Sequence, residues 1–295
     1  MEAITPKDVR HYHSFVDESV NRRWEAEQKR EATNSPVDRE DMFHFLYSAE
    51  DPETGKKALT KAELRAEANL LLIAGTDTTS VAISSFFFFI VHNPRCYEKL
   101  VKEIRTTFSS PEEIVHGPQL YGCTYLRACI DESLRLAPAG PSEFPRDVLP
   151  GGATIDGEFY PPGTTVGIHQ WSLGRLHDVY GDANRFRPER WIPSDDPDTH
   201  MANSLQDVRN LKRGFAPFLK GSGSCIGLNV AILQLSMMIA RTLWRMDVRQ
   251  APDTDVGEGK PELGWGRSDP NHYIIGDAFV TLKYGPLVQF KKREF

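Results

Sequence analysis

The sequence predicts a mainly α-helical fold with a small β region, and three features carry this prediction. One stretch, residues 60–92, has a helix start, a long apolar middle and a helix stop. Residues 144–168 contain short β-prone pieces separated by glycine and proline pairs. Further apolar or amphipathic stretches predict helices over residues 7–30, 94–108, 124–136 and 225–246, and short strands with turns, including 278–282, finish the chain.

The long helix has recognisable ends. Thr60 and Glu63 have the order of a capping box, in which each side chain bonds the backbone N–H of the other residue. Asn93 and Pro94 end the helix because proline lacks a backbone donor. The helix would be about 48 Å long. Since its middle is apolar nearly all round, we expect it to cross the interior of a large domain.

Composition and charge exclude some classes of function. Of the 295 residues, 40% are hydrophobic and 26% charged, and the formal net charge is −6. A surface that binds nucleic acid needs an excess of basic residues, so this balance argues against nucleic acid as a partner. The first residues lack the order of a signal peptide, and the most apolar segment, Val81–Val91, has about half the length needed to cross a bilayer. The sequence therefore predicts an intracellular protein without a membrane span.

The cysteines and the N-terminal segment bear on the domain organisation. Cys96, Cys123, Cys129 and Cys225 contain no Cys-x-x-Cys pair, and a chain with a core of this size does not need disulfide bonds. We expect free thiols in a reducing compartment. Residues 31–59 are rich in Pro, Asp, Glu, Gly and Ser, so we expect 1–59 to form a surface connection and 60–295 a single domain.

Cys225 lies where a glycine-rich loop meets the start of the last predicted helix. Unpaired backbone N–H groups and the helix dipole favour an anion there, so the thiol should ionise easily. Gly221 and Gly227 permit tight turns and the close approach of a flat ligand, and Phe218 could shield the sulfur from water. A lone cysteine is more often a buried structural thiol. The spacing of the flanking residues therefore has to decide between the two interpretations.

A polar segment, Gly75–Ser80, interrupts the long apolar helix. Burial of the Asp77 carboxyl group or of threonine hydroxyls such as that of Thr78 costs free energy unless these groups have hydrogen-bond partners or a function. The simpler interpretation is that the hydroxyls bond to carbonyls one turn back, which would also favour a local bulge. The functional interpretation is that this segment handles a polar reactant inside an apolar domain.

Two arginine-containing motifs follow the long helix. Glu132 and Arg135 are three residues apart and share one helix face. An exposed pair of this kind contributes only about a few tenths of a kcal/mol. Arg190 belongs to the later segment Phe186-Arg187-Pro188-Glu189-Arg190, and Arg146 follows Phe144 and Pro145.

The sequence thus has four motifs: the segment with Asp77 and Thr78, the Glu132 and Arg135 pair with Arg190, Arg146, and the loop with Cys225. In their order along residues 74–227, they resemble the motifs of the cytochrome P-450 family of haem-thiolate monooxygenases. The resemblance covers nearly the whole chain from Thr60 onward and implies the C-terminal part of the P-450 fold. The segment 144–171 looks most like fungal members of secondary metabolism.

The resemblance implies a role for each motif. Cys225 would be the axial ligand of the haem iron, within a haem-binding loop that includes Phe218, Gly221 and Gly227. Thr78 would contact dioxygen, and Asp77 would relay protons from solvent.

The remaining residues would support the haem site. Glu132, Arg135 and Arg190 would form a buried network that locks the loop carrying Cys225. Arg146 would pair with a haem propionate.

The chain departs from the family pattern in two places. Gly223 stands where the family's haem loop has an arginine, which predicts weaker haem retention. Family members also have a long N-terminal portion before the dioxygen helix, and residues 1–59 look like a short remnant of it. We therefore expect residues 1–295 alone to be a poor catalyst. Full-length relatives lie on the endoplasmic reticulum membrane, whereas no anchor is recognisable here.

The resemblance implies a monooxygenase that inserts one oxygen atom into an apolar small molecule, with electrons from NADPH delivered through a reductase. One alternative is a haem-thiolate isomerase or dehydratase, although such relatives tend to lack the Asp77–Thr78 pair. A second alternative is a shortened, non-catalytic relative that binds haem poorly. The substrate pocket would include mostly apolar segments near Leu71–Ala74, Pro138–Phe144 and Asn271–Ile275.

Overall fold

A computed structural model describes residues 7–194 and 204–294. Within this part of the chain, helices dominate and the strands are short, which confirms the predicted fold class. The α-helices are α1 (Lys7–Thr33), α2 (Met42–Ser48), α3 (Lys61–His92), α4 (Pro94–Thr107), α5 (Pro118–Tyr121), α6 (Thr124–Leu136), α7 (Gln170–Leu173), α8 (His177–Tyr180), α9 (Leu205–Gly214) and α10 (Leu228–Arg245).

The strands of the described residues form small antiparallel pairs. They are β1 (Arg146–Asp147), β2 (Ala153–Ile155), β3 (Glu158–Tyr160), β4 (Thr165–Val166), β5 (Met246–Gln250), β6 (Ile275–Ala278), β7 (Val280–Lys283) and β8 (Val288–Lys292). The pairs are β1 with β4, β2 with β3, β5 with β8 and β6 with β7. In the β1–β4 pair, Arg146 lies opposite Val166.

Helix α3 has the predicted ends and the predicted cap. The backbone N–H of Thr60 donates to Glu63 Oε2 at 2.8 Å, and the N–H of Glu63 donates to Thr60 Oγ1 at 3.3 Å. The backbone is continuously α-helical from Lys61 to His92, so the prediction of a local bulge at 75–80 is wrong. A hydroxyl bonded back to the helix is present at Ser80, and it does not break the helix.

The C-terminal part of α3 lies in the hydrophobic core. Phe86 and Ile90 are buried together with side chains of α4, α6 and α10, such as Leu100, Ile130 and Ile239. A second cluster surrounds Phe88 and Phe89, whose rings stack on those of Tyr273 and Phe186.

Only part of α3 is buried. Leu70, Leu72 and Ile73 are exposed. Among the described residues, α3 is the one helix that is long and apolar enough to cross a bilayer by length and composition, a test that the core helix of a soluble protein also passes.

The chain divides into two compact units, Met1–Thr76 and Asp77–Phe295. In the first unit, α1 and α2 pack together around a buried acid. Glu27 of α1 accepts a hydrogen bond from Arg30 at 2.9 Å and shares one with His44 of α2 at 3.1 Å. The second unit contains every single residue that the sequence analysis assigned to the haem site, from Asp77 to Gly227.

Two further sequence predictions differ from the structure. The stretch of about 181–217 is rich in Pro and Asp, and this composition predicts irregular structure. Its residues 205–214 instead form α9, which begins with a capping box between Ser204 and Asp207. Helix α10 begins at Leu228 rather than at Cys225. Residues 278–282 contain the end of β6, a turn at Phe279 and most of β7, which confirms the short strands and turns predicted there.

Candidate active site

The loop before α10 exposes Cys225 and leaves its thiol free of a disulfide bond. The N–H of Cys225 donates to the carbonyl of Phe218 at 2.8 Å, so the loop closes on itself. Gly221 has a φ of 71°, a left-handed conformation that glycine adopts without strain. The N–H of Leu228, at the start of α10, donates to the carbonyl of Cys225 at 3.3 Å. The thiol therefore lies directly before the positive end of a helix.

The space beside the thiol is open. A Cβ placed on Gly227 would lie 3.7 Å from Sγ of Cys225, so this glycine keeps the space beside the sulfur clear. Ile226 is 97% exposed. The Phe218 ring packs against the main core instead. A flat apolar ligand could therefore reach the sulfur from the side of Gly227.

Arg146 of β1 lies beside the same loop. A Cβ placed on Gly223 would lie 2.6 Å from Nη2 of Arg146. Nη1 of Arg146 donates to the carbonyl of Pro145 at 2.9 Å. Within residues 7–194 and 204–294, Arg146 has no carboxylate within ion-pair distance. The cation predicted to pair with a propionate is therefore next to the position that lacks the family's arginine.

Asp77 and Thr78 lie on α3 near its transition from exposed to buried. Asp77 is exposed and Thr78 is half-buried. Ser80 Oγ donates to the backbone carbonyl of Asp77 at 2.8 Å, and Lys283 of β7 donates to Ser80 Oγ at 2.9 Å. The hairpin of β6 and β7 is thus attached to α3 one turn from the acid–threonine pair.

Glu132, Arg135 and Arg190 come together in a fully buried cluster. Arg135 donates to both carboxylate oxygens of Glu132 at 2.9 and 2.8 Å, and Nε of Arg190 donates to Oε1 at 2.9 Å. The backbone N–H of Arg187 and the indole N–H of Trp191 complete five hydrogen bonds to this carboxylate. Burial by itself raises the pKa of Glu132, but the two guanidinium groups outweigh it and lower the pKa below its usual value.

This cluster fixes the segments around it. Nη1 of Arg135 donates to the carbonyls of Gly174 and Ala183. Gly174 packs so closely against Arg135 that a Cβ there would collide with the carbonyl oxygen of Arg135. Trp191, held by Glu132, packs its ring on Phe215 with centroids 4.7 Å apart. Phe215 directly follows α9, so the contact connects the cluster to the segment that leads into the Cys225 loop.

Sequence reasoning missed three residues of this region. Trp191 gave no signal because an indole donor to a distant carboxylate leaves no trace in local spacing. Lys283 could not be connected to Ser80 without the fold. Phe279 adopts a φ of 69°, and its ring contacts that of Phe144 with centroids 5.6 Å apart. In the predicted pocket segment 271–275, Tyr273 is instead buried against Phe88.

The residues of the second unit fit a haem group. An exposed thiol before a helix start would supply a sulfur ligand to the iron. The glycine at 227 leaves room beside the sulfur, and Arg146 offers a guanidinium without a carboxylate of its own among the described residues. A porphyrin with propionate groups requires this combination of one thiolate, an apolar surface and a cation.

The chain is similar to known proteins of one family. The family model described as Cytochrome P-450 matches residues 4–274. The cytochrome P-450 monooxygenase fscF of Fusarium equiseti is 37% identical over 289 residues, which are 97% of this chain and 52% of that protein. The monooxygenase apf7 of Gibberella fujikuroi is 38% identical over 86% of this chain and 46% of its own length. The monooxygenase lcsN of Purpureocillium lilacinum is 34% identical over 86% of this chain and 71% of its length.

The chain spans about half the length of the first two of these relatives. The family model, in contrast, covers most of the chain and includes the acid–threonine segment, the buried arginine cluster and the Cys225 loop. With a further relative matched over more than two thirds of its length, the chain belongs to the cytochrome P-450 family.

Proposed function

We propose that this chain is the C-terminal catalytic part of a haem-thiolate monooxygenase that inserts one atom of dioxygen into an apolar small molecule. The observation that carries the proposal is the exposed Cys225, held before α10 by a loop that closes on Phe218. Bound haem supplies the redox chemistry that activates dioxygen with electrons from NADPH, delivered by a reductase. The similarity to monooxygenases of filamentous fungi supports a role in secondary-metabolite biosynthesis.

Each predicted site residue has a physical task in this proposal. Cys225, exposed directly before α10, holds the iron by its sulfur. Arg146 binds a carboxylate of the porphyrin through a charge-assisted hydrogen bond. We propose that residues 60–295 act together as the haem-binding domain, although compactness places a boundary inside α3.

The acid–threonine pair handles protons. Thr78 is half-buried and offers a hydroxyl that can donate a hydrogen bond to the oxygen substrate. Asp77 is exposed, so its carboxylate can exchange protons with water and pass them inward. The exposed position of Asp77 supports its role as the first group of the relay, because protons from solvent must enter at a solvent-exposed side chain.

The buried cluster has a structural task. Glu132, Arg135 and Arg190 hold the segments that flank them, and the Trp191–Phe215 contact transmits this restraint towards the Cys225 loop. A rigid loop keeps the sulfur at one distance from the ligand plane, which a metal ligand requires.

The absorption spectrum of the reduced, carbon monoxide-bound protein tests the proposal. Thiolate-ligated haem gives a strongly red-shifted main band, so we expect this band in the wild-type chain and in a Cys96→Ala variant. Cys225→Ser should lose the band. A red-shifted band that persists in Cys225→Ser would refute the ligand assignment.

A labelling experiment separates the monooxygenase from an isomerase or dehydratase. The metabolites of the producing organism, with and without the gene, should be compared under heavy-isotope dioxygen. We expect a gene-dependent product that contains one labelled oxygen atom. A gene-dependent product without label would contradict the monooxygenase and favour the isomerase or dehydratase.

A further inference from the structure

Two neighbouring cavities of the second unit share a wall that none of the motifs of the haem site supplies. Trp171, Arg175, Trp265 and His272 border both cavities, whose volumes are about 220 and 360 Å³. The smaller one also borders residues 274–275 of a predicted pocket segment. Ligand pockets typically have volumes of about 300–1,000 Å³, so the two cavities together have the size of a site for a small organic molecule.

Arg175 brings unused hydrogen-bond donors to this wall. Its Nη1 donates to the carbonyl of Trp171 at 3.3 Å, and its Nη2 donates to that of Leu136 at 2.8 Å. Its Nε is buried and has no hydrogen-bond partner among the described residues. A guanidinium has five N–H groups, so three of them lack an acceptor within the described part of the chain. Leaving a buried donor unpaired costs free energy, which an anion at this place would recover.

The positive charge of Arg175 is also uncompensated. Within residues 7–194 and 204–294, Arg175 has no carboxylate within ion-pair distance, and the same holds for Arg267, which borders the smaller cavity. Burial, and next to it the charge of Arg135, lowers the pKa of Arg175 to about 9. The guanidinium therefore stays charged at neutral pH in surroundings that disfavour its charge. A carboxylate beside it would offset this penalty.

The acids that border the cavities have partners of their own. Asp277 accepts a hydrogen bond from Oγ of Ser142 at 2.6 Å. Asp269 accepts one from the backbone N–H of Asn271 at 2.8 Å. Because these carboxylates are already hydrogen-bonded while Arg175 has no counter-ion among the described residues, the charge available at this wall is positive.

Two indole rings form the apolar part of the wall. The guanidinium of Arg175 lies 3.9 Å from the ring centroid of Trp171, and the rings of Trp171 and Trp265 meet edge to face with centroids 6.5 Å apart. Trp265 is 92% exposed. Tryptophan is enriched among the residues that contribute most to binding, and an exposed ring offers a flat apolar surface for another ring. The wall thus combines a cation with a surface for stacking.

Backbone hydrogen bonds hold the loop that carries Trp265. The N–H of Lys260 donates to the carbonyl of Arg267 at 2.8 Å, and the N–H of Arg267 donates to that of Gly264 at 3.1 Å. A loop that is ordered before binding loses less conformational entropy when a ligand arrives. The exposed indole is therefore presented on a preformed support.

We propose that these two cavities form a second binding site, which takes a small aromatic carboxylate with its carboxylate on Arg175 and its ring on Trp265. The site is separate from the cavity beside Arg146, with which it shares no lining residue. None of its residues is assigned to the haem, so the inference goes beyond the proposed function and does not depend on it.

Calorimetric titration of the 295-residue chain with 2-naphthoate and with 2-naphthamide tests the proposal. The two probes have the same ring system and differ in the charge of one group. A hydrogen bond to a charged group typically contributes about one to two powers of ten in affinity. We therefore expect one binding site per chain, with 2-naphthoate bound at least about tenfold more tightly than 2-naphthamide.

Two variants assign the contacts. Arg175→Gln should bring the affinity for 2-naphthoate down to that for 2-naphthamide, because the charge is lost and the rings remain. Trp265→Ala should weaken both probes by a similar factor of about three to ten, since it removes the stacking surface. Trp265 is exposed, so its replacement should leave the midpoint of urea unfolding unchanged. This variant decides the question if Arg175→Gln does not fold.

Nuclear magnetic resonance locates the probe on the chain. Of the five tryptophan indole N–H signals, 2-naphthoate should shift those of Trp171 and Trp265 and leave the other three in place. Tyr121→Ala removes another exposed ring and should leave both affinities unchanged. Arg146→Ala removes the cation beside the Cys225 loop and should also leave them unchanged.

Three outcomes would overturn the proposal. The first is that the wild-type chain binds neither probe, and the second is that it binds both with equal affinity. The third is that Arg146→Ala abolishes binding of 2-naphthoate while Trp265→Ala does not, because the carboxylate would then lie beside the Cys225 loop. The proposed function stands or falls separately, with the thiolate band of Cys225.

Discussion

Nε of Arg190 donates a hydrogen bond to Oε1 of Glu132 at 2.9 Å, across 58 residues of sequence and with both side chains fully buried. The acid would be unstable as an isolated buried charge. Arg135 on the next turn of α6 shares the same carboxylate, so two cations and one anion are fixed together. The interaction of Arg190 with Glu132 therefore couples the stability of α6 to that of the segment that contains Arg190.

Replacing Glu132 by Gln should therefore be strongly destabilising at neutral pH. Removing one partner of a buried ion pair costs about 3–5 kcal/mol. The pKa of Glu132 is lowered in the folded protein, so its stabilisation is complete above the usual pKa of 4.5 and is lost as the pH falls through the lowered value. Urea unfolding should thus show a deficit that is large at pH 7 and shrinks towards pH 3. The exposed Glu98→Gln change in α4 is the matched control, and an equal deficit at both pH values would contradict the assignment.

Asp131 is predicted to behave in the opposite way. Burial raises the pKa of this carboxyl, and its ion pair with Arg127 at 2.9 Å offsets only part of the effect. Folding favours the protonated form, so this contribution to stability is complete below the usual pKa of 3.8 and is lost as the pH rises through the raised value. The free energy of unfolding of Asp131→Asn should therefore increase relative to that of wild type between pH 3 and pH 7. Parallel pH profiles for Asp131→Asn and Glu132→Gln would show that the two directions are misassigned.

Much of the fold could be predicted because its signals are local. The start of α3 is fixed by the capping box of Thr60 and Glu63, and its end by Pro94, which lacks a backbone N–H donor. Both effects act within one helical turn. Helix α9 was missed although Ser204 and Asp207 form a capping box, because the surrounding prolines and acids suggested an irregular segment.

The site was less accessible to sequence reasoning because its contacts are distant. The spacing of Glu132 and Arg135 predicts a pair on one helix face, but not that Trp191 binds the same carboxylate. Arg146 and Gly223 are 77 positions apart in sequence, yet Nη2 of Arg146 lies 2.6 Å from the place where a Cβ at 223 would be. Only the tertiary fold shows that one side chain uses the space of the other.

The four cysteines should differ sharply in reactivity. Cys225 is exposed, whereas Cys96, Cys123 and Cys129 are buried, and burial raises the pKa of all three buried thiols, that of Cys123 to about 11. Since the thiolate is the reactive form, a maleimide at pH 7 should label one thiol per folded chain. Mass spectrometry should find the label on Cys225, no rapid label in Cys225→Ser, and four labels after unfolding in urea. Rapid labelling of a buried cysteine would show that the core around α4 and α6 opens readily.

Thr78→Ala tests the proposed handling of protons in a preparation that turns over. Loss of the hydroxyl should divert reducing equivalents to hydrogen peroxide while the spectral shift induced by substrate stays nearly unchanged. The measured ratio is product formed per NADPH consumed. Thr106→Ala, which removes an exposed hydroxyl bonded to the backbone of Lys102 on α4, is the control. Unchanged coupling in Thr78→Ala would count against the relay.

The bond between Lys283 and Ser80 should stabilise the attachment of the β6–β7 hairpin to α3. Lys283→Met and Ser80→Ala each remove one partner of this 2.9 Å contact. In a double-mutant cycle we expect a coupling of about 1.5–3 kcal/mol, because one partner is charged. Urea unfolding of the three variants and wild type measures it, and additive effects would mean that the contact contributes nothing to stability.

Helix α6 carries Glu132 and Arg135 with nearly its whole surface covered; every residue from Ala128 to Leu136 is buried, as are Tyr125 and Leu126. A helix without a solvent-facing side cannot fray in isolation, so its amide hydrogens can exchange with deuterium only when the surrounding core opens. The slowest-exchanging amides of the second unit should consequently lie in α6. Their exchange rate gives the free energy of opening the whole unit, measured on the native protein without denaturant.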